Sequence, residues 1–498
     1  MKRTFLITFI TTSLGFILNT GCQLLSHTQP AVPKQDTPPP TSRISPNEFM
    51  VIARITAQPP NLRVPWVFRD IQTRVGIALM IRRGHFLLPS SFIRYARHIE
   101  LENIDASQKT TAHLLVDDKL ANLAIVQAED PNFISGKKPI AIASPLKRGS
   151  AIRTWQINDD KSTTAASGTV RKYIYNNFPL MQCEIDFDQF SDISPGLPVI
   201  YQDKLAGIII SADKESKRAT AIPPETISHF LADADAPPYH GFPRLGFRAL
   251  ALKDRQLRRY LKLPPQSRNG IFISFIQPNS PAEKAGLKKN DVLLSLAQYP
   301  VDQDGNIDHP IYGKIDVAVP ILLSTPKQKL SCTVWRDGKE LKLTITPEPF
   351  APQNYPIPMV SSDEPPPYFI IGGFVFQELS YAYLKQWNDW VNRAPPRLVY
   401  YARNQFKLLK PGQKLVFLSA IIPTPSTLGY EQFNFKILTH LNNKPIHSLK
   451  DILEALQNPV NKKNTLFHVF KFRYPPHEAV IEVSQATREW AVLQQRLR

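Results

Sequence analysis

The stretch SFIQPNSPAEKAGLKKNDVLLSL, residues 274–296, restricts the fold more tightly than any other part of the chain. Its apolar start reads as a strand. Pro281, after Ser280, fits the first turn of a helix, where the missing N–H has no intrahelical acceptor to lose. Gly286 fits the end of that helix, where the backbone turns through positive φ. A second strand opens at Asp291. Strand, one short helix and strand in so few residues describe a compact α+β unit.

Upstream lies a different pattern. From about Glu48, short apolar segments alternate with turn residues: FMVIARI, GIALMI, HFLLP, ANLAIVQ, AIRTWQI, GTVRKYIY, LMQCEIDF and KLAGIII. Such runs are expected of an all-β sandwich or barrel. The 46 prolines in 498 residues argue against helical bundles and suit strands joined by turns. The run PETISHFLADA reads as a helix and ends at the Pro- and Gly-rich APPYHGFP. The boundaries that follow are a leader at 1–21, a Pro-rich tether at 22–46 and a β-rich unit at 47–238. A second unit covers 239–349 and a bridge 350–367. A third unit covers 368–486, with a tail at 487–498. In the third unit Asn442-Asn443 suits a turn, and Ile452, Leu453 and Leu456 repeat at helical spacing.

The leader MKRTFLITFITTSLGFILNTGC has two cations, an apolar stretch and small residues before Cys22. That cysteine resembles the acylated residue of a bacterial lipobox, although Asn19 stands where leucine is usual and Leu18 lies one step back. The other reading is an ordinary secretory signal. The net charge of +18 favours anionic surfaces, but its cations are spread along the chain and no nucleic-acid motif accompanies them. Cys183 and Cys332 lie in apolar runs and read as buried free thiols. Without CxxC or HExxH, and with 11 scattered histidines, no metal and no cofactor are expected.

The 274–296 pattern resembles the heart of a bacterial-type PDZ domain. FPRLGF, from Phe242 to Phe247, falls where such domains place the loop that receives a peptide's terminal carboxylate. With the β-rich unit ahead of it, the chain resembles the Deg/HtrA family of serine proteases. It is closest to the branch with a second, divergent PDZ-like unit, here opening with PYFIIGGFVF. The resemblance implies a mainly β fold: a trypsin-like double β-barrel, a PDZ domain and a second PDZ-like α+β domain.

In strand register, the family's catalytic histidine falls at Ser91 in FLLPSSFI and its aspartate at Asn122 in NLAIV. Its serine falls at Pro195 in ISPGLPVIYQDKLAG, and Ile193 replaces a glycine. Proline has no hydroxyl and no N–H, and the nucleophile's own N–H is one of two oxyanion donors in this class. Losing one such donor costs about 10²–10³ in rate, and losing the nucleophile or base about 10⁶. A degenerate, non-catalytic member is the expectation. The alternative is an active Deg-type serine endopeptidase with relocated residues, drawn from Ser194, His85 and His98. A misplacement near 1 Å would cost such a site about 100-fold.

Binding is what the remaining residues suit. A PDZ groove takes an extended peptide as an added strand and its carboxylate on backbone N–H groups. The resemblance assigns the loop Arg244, Leu245, Gly246 and Phe247, and an opposite wall from KIDVAVPILL with Ile315, Val319 and Leu322. Pro320 interrupts that helix-like run. The third unit, with IIGGFVF as a partial substitute loop, is expected to pack or to contact other subunits more than to capture ligand. The expected partners are peptide C-termini or unfolded envelope proteins, and a membrane through lipid on Cys22. The resemblance also implies assembly, commonly into trimers; a separate reading is a structural partner that oligomerises with an active relative and tunes it. No nucleic acid is expected. The expected place is the bacterial envelope, facing the periplasm, or outside the cell if Cys22 carries no lipid.

Overall fold

The structure, a computed structural model, describes residues 44–158, 160–175, 180–188, 195–325, 327–349, 351, 355–360 and 362–496. Strands β1 (Met50–Ala57), β2 (Gln72–Arg82), β3 (His85–Leu88), β4 (Ala96–Glu102), β5 (Lys109–Asp118) and β6 (Leu123–Ala128) close a barrel in the order β1-β2-β3-β6-β5-β4. Helix α1 (Ser90–Ile93) follows β3. A second closed barrel, β10-β11-β12-β9-β8-β7, uses β7 (Ala151–Ile157), β8 (Thr163–Tyr175), β9 (Met181–Phe187), β10 (Pro198–Tyr201), β11 (Lys204–Asp213) and β12 (Arg218–Ile222). Closure leaves no free sheet edge. Alternation explains the inward faces: in β9, Met181, Cys183, Ile185 and Phe187 point inside while their neighbours do not. The trypsin-like double barrel that the resemblance implied is thus what the chain builds. Cys183 and Cys332 are free and buried, and burial pushes both thiols up to about 12.

Helix α2 (Pro224–Ala234) leads into the middle unit. Its strands are β13 (Pro243–Arg244), β14 (Phe247–Leu250), β15 (Ile271–Ile276), β16 (Val292–Leu296), β17 (Tyr299–Pro300), β18 (Asn306–His309), β19 (Gly313–Asp316), β20 (Leu330–Arg336), β21 (Lys339–Ile345) and β22 (Glu348–Pro349). Its helices are α3 (Arg255–Tyr260), α4 (Pro281–Lys284) and α5 (Val319–Leu322). The main sheet runs β14-β15-β16-β20-β21, with β17 on β16. Helix α4 starts as its sequence requires: Ser280 Oγ accepts from the Glu283 N–H at 3.3 Å, and Glu283 Oε2 accepts from the Asn279 N–H at 2.7 Å. Asp291, buried just ahead of β16, takes Arg336 through Nε and Nη2 at 2.7 Å each.

The run KIDVAVPILL is not one helix. Residues from Lys314 to Asp316 lie in β19, and only Val319–Leu322 form a turn of helix. Pro320 falls inside that first turn, so it starts the helix and does not interrupt it. Ile315 faces Ile307 across a hairpin and is 3% exposed; Val319 is wholly buried.

The last unit has two sheets, β23-β24-β25 and β27-β26-β29-β28, with β30 on β29. These strands are β23 (Tyr368–Ile371), β24 (Phe374–Glu378), β25 (Val416–Ile421), β26 (Leu438–Leu441), β27 (Lys444–Pro445), β28 (Val460–Lys462), β29 (Thr465–Phe472) and β30 (Glu478–Glu482). Helices α6 (Tyr381–Leu384), α7 (Trp390–Arg393), α8 (Pro396–Arg403), α9 (Gln405–Leu408), α10 (Leu449–Leu456) and α11 (Val483–Arg496) complete it. The unit extends past both expected limits. Ile357, in the expected bridge, is buried with its N–H on Gln405 Oε1 at 2.9 Å. The expected tail is mostly helix α11, which buries Leu493.

One apolar core runs without a break from the barrels into the middle unit. At their seam, Tyr173 of β8 and Tyr312 of the β18–β19 turn pack with ring centroids 4.7 Å apart, and His309 stacks on Tyr312 at 4.4 Å. Tyr312 donates its hydroxyl to Glu225 Oε1 at 2.6 Å, while Glu225 Oε2 is buried with no hydrogen-bond partner among the described residues. Burial raises the Glu225 carboxyl above its ordinary value, against the lowering effect of the Tyr312 hydroxyl. A carboxyl raised in the folded state contributes fully below its unfolded value, and that contribution is lost as pH rises through the folded one. Relative to the parent, Glu225→Gln should therefore gain stability as pH increases from about 4 upward. Urea unfolding at a series of pH values reads this; a parallel pH dependence in both proteins would contradict it.

Candidate functional site

One candidate site is the corner between the barrels. Ser91 donates its N–H to Asn122 Oδ1 at 2.7 Å, and Ser90 its N–H to the Asn122 carbonyl at 3.1 Å. Asn122 holds φ at 55°, a conformation asparagine reaches more readily than most residues. Phe92, next to Ser91, lays its ring between Gly76 of β2 and Gly196, the residue after Pro195. A Cβ would come within 2.1 Å of that ring at Gly76 and 2.9 Å at Gly196. Ser91, Asn122 and Pro195, distant in sequence, therefore border one spot.

Chemically that spot holds an exposed hydroxyl, an amide committed to the backbone and a ring without an N–H. The Gly196 N–H donates to the Ile209 carbonyl at 2.6 Å, so it serves the sheet. Arg74 Nη1 donates to the carbonyls of Ser91, Phe92 and Arg94 at 3.2, 3.3 and 3.0 Å. His85 opens β3 opposite Gln127, and His98 stands in β4 opposite Thr56. Among the described residues no hydrogen bond joins either imidazole to Ser91. Ser194 and Ile193 lie outside the described residues, as does Cys22.

Two carboxylates that sequence reasoning passed over support this corner. Asp117 accepts from Ser90 Oγ, and Lys119 Nζ lies 3.7 Å from it; burial raises its carboxyl above the ordinary value. Asp118 accepts the N–H groups of Leu120 and Ala121 at 2.8 and 2.9 Å and the Tyr239 hydroxyl at 2.5 Å. The doublet in VDDKL was the available signal.

The second place is a cavity of about 730 Å³ beside β14. Among the described residues β14 pairs with β15 on one side only, so its other edge carries backbone groups open to a further strand. The loop before it lines the cavity: Arg244, Leu245, Gly246 and Phe247. Its shape is held by the Gly246 carbonyl accepting from Gln277 at 2.8 Å and the Leu245 carbonyl accepting from Ala282 at 2.9 Å. Among the described residues, neither Leu245 nor Gly246 donates its own N–H. Arg244 Nη1 donates to the Tyr175 hydroxyl of β8 at 2.7 Å, which ties the loop to the second barrel. Opposite stand Val317, Ala318, Ile321 and Leu322. Of the three expected wall residues only Leu322 is there; Ile315 and Val319 belong to the core behind it, because the wall is a hairpin end and one helical turn. Tyr355, Tyr381 and Phe406 also line the cavity, and nothing local in the sequence marks them.

In the last unit the corresponding strand, β24, is paired on both sides. β24 is flanked by β23 and by β25, and the Gly372-Gly373 turn joins β23 directly to it. The place where a strand would add is taken by the chain's own strand.

The PDZ-domain family matches residues 243–303, and a second PDZ-domain family matches residues 357–496. The mitochondrial protease Do-like 4 of Arabidopsis thaliana is 24% identical over 80% of this chain and 74% of its own length. The mitochondrial Do-like 11 protein of the same plant is 26% identical over 64% of this chain and 56% of its own, so the chain spans little over half of that relative. Serine protease HTRA1 of Xenopus laevis is 21% identical over 57% of this chain and 62% of its own length. Among solved structures, an HtrA-type protease AlgW with tripeptide covers 61% of this chain and 95% of its own at 18% identity and a TM-score of 0.47.

Gly246 has φ of 79°, and a Cβ there would lie 2.3 Å from Ser280 Cβ. Gly246→Ala must therefore strain the loop or displace the start of α4. It should lower stability by about 1–3 kcal/mol in chemical denaturation. An unchanged unfolding midpoint would show that the loop has room the geometry denies.

Proposed function

Because the chain belongs to the Deg/HtrA family, we propose that it works in protein quality control by holding peptides without cutting them. The observation that carries this reading is the open edge of β14 beside the uncommitted amides of Leu245 and Gly246. An extended peptide would pair with β14, and its terminal carboxylate would take those amides. Arg248, without an ion-pair partner among the described residues, adds attraction for the carboxylate. The substrates proposed are C-terminally exposed or unfolded envelope proteins. Lipid on Cys22 and the Pro-rich tether would hold the body at a membrane facing the periplasm. No helix of the described residues is long and apolar enough to cross a membrane. Assembly into trimers, or with an active relative, belongs to the same proposal.

Support for absent catalysis is chemical. At Pro195 there is no hydroxyl to attack and no N–H to receive the oxyanion. Similarity to protease Do-like 4 and serine protease HTRA1 favours the competing reading of an active endopeptidase. A fluorophosphonate probe and an unfolded casein substrate separate the two. The purified protein should take no label and leave casein intact; labelling at Ser194, lost in Ser194→Ala, would establish the protease instead.

The groove makes its own prediction. Peptides with a free C-terminus should bind at least about tenfold more tightly than their amides, since charge-assisted hydrogen bonds to the carboxylate are lost on amidation. Fluorescence anisotropy reads the ratio, and equal binding of both forms would refute carboxylate capture.

A further inference from the structure

The groove of the middle unit has a wall that the unit does not make itself. Phe275 of β15 stacks on Phe406 of α9, with centroids 6.1 Å apart and planes at 28°. Phe406 meets Tyr355 edge-on at 4.7 Å, and the Tyr355 hydroxyl donates to Gln277 Oε1 at 2.9 Å. Tyr381 stands beside them, its hydroxyl on the Ala402 carbonyl at 3.0 Å. All four rings line the cavity and none is fully buried, so each keeps ring surface for a further contact. Arg248 carries a guanidinium 5.5 Å over the Phe275 ring. The acids at the rim are occupied: Asp304 by Lys253 at 2.5 Å and Asp316 by the Ala318 N–H at 2.7 Å.

Strand geometry says which part of a ligand meets this wall. Arg248 lies opposite Phe275 in the β14–β15 ladder, so the two share one face, and Phe247 points to the other. A strand added beside β14 keeps that alternation. With its last side chain toward Leu245 and Leu322, the side chain before it falls on the face of Arg248 and Phe275, beneath Phe406 and Tyr355. Aromatic rings there find offset and edge-on partners and a cation above them.

Resting on the peptide-binding reading above, we infer that the C-terminal unit is the second jaw of the groove and selects ligands with an aromatic side chain one residue before a free C-terminus. This gives the third unit a role in recognition although its strand β24 is paired on both sides.

The test uses the whole protein, its Phe406→Ala and Phe406→Leu variants, and free-acid peptides differing only in Phe or Ala at the penultimate position. By anisotropy the Phe peptide should bind the parent about five- to tenfold more tightly than the Ala peptide. That preference should shrink to about twofold or less in Phe406→Ala and be partly kept in Phe406→Leu, while the free acid still outbinds the amide in all three. Undiminished preference in Phe406→Ala, or none in the parent, overturns the second jaw and leaves the groove reading intact. Free acid and amide binding alike, or no peptide binding at all, removes the groove reading and this inference with it.

Discussion

Tyr173 and Tyr312 pack over the Glu225 carboxyl, and through this seam the double barrel and the middle unit share one core. The contact matters because PDZ units joined to barrels only by a linker would take many orientations. Here burial of large aromatic surface, about 1.5–3 kcal/mol for each fully buried side chain, resists that freedom. The Arg244 bond to Tyr175 extends the same seam to the carboxylate loop. The groove consequently faces a set direction, and the C-terminal unit can meet it.

That third unit holds both of the others. Trp66 meets Tyr368 at 5.9 Å, Arg63 lies 4.0 Å over the Trp387 ring, and Asp363 takes Arg94 at 2.7 Å and Lys119 at 3.2 Å. Partly exposed ion pairs contribute little by themselves, so the apolar cluster of Leu62, Ile357, Leu379 and Leu398 carries most of the attachment. The outcome is a cavity with walls from the second barrel, the middle unit and the last one.

The double barrel closes on apolar packing and does not draw on the residues at its corner. Barrel closure depends on inward apolar side chains such as Leu87, Leu123, Ile185 and Ile208, none of which belongs to a triad. At the corner itself Asn122 bonds the backbone of Ser91, and Phe92 fills the space between Gly76 and Gly196. These contacts suit packing.

Much of this was legible in the chain itself, wherever a local rule applied. Proline, capping serine and glycine at 280–286 marked a helix, and alternation marked the strands. Ile315 and Val319 were misplaced because apolar residues at helical spacing do not reveal which face meets a core. Phe406 and Tyr355 were invisible for a different reason. Their partner Phe275 is remote in sequence, and such pairing arises only when separately folded surfaces meet. Local backbone preference and bond chemistry, which act within a few residues, are what the sequence alone determined. Which face lines the groove, and which unit closes it, depended on packing between distant segments and was decided only by the tertiary structure.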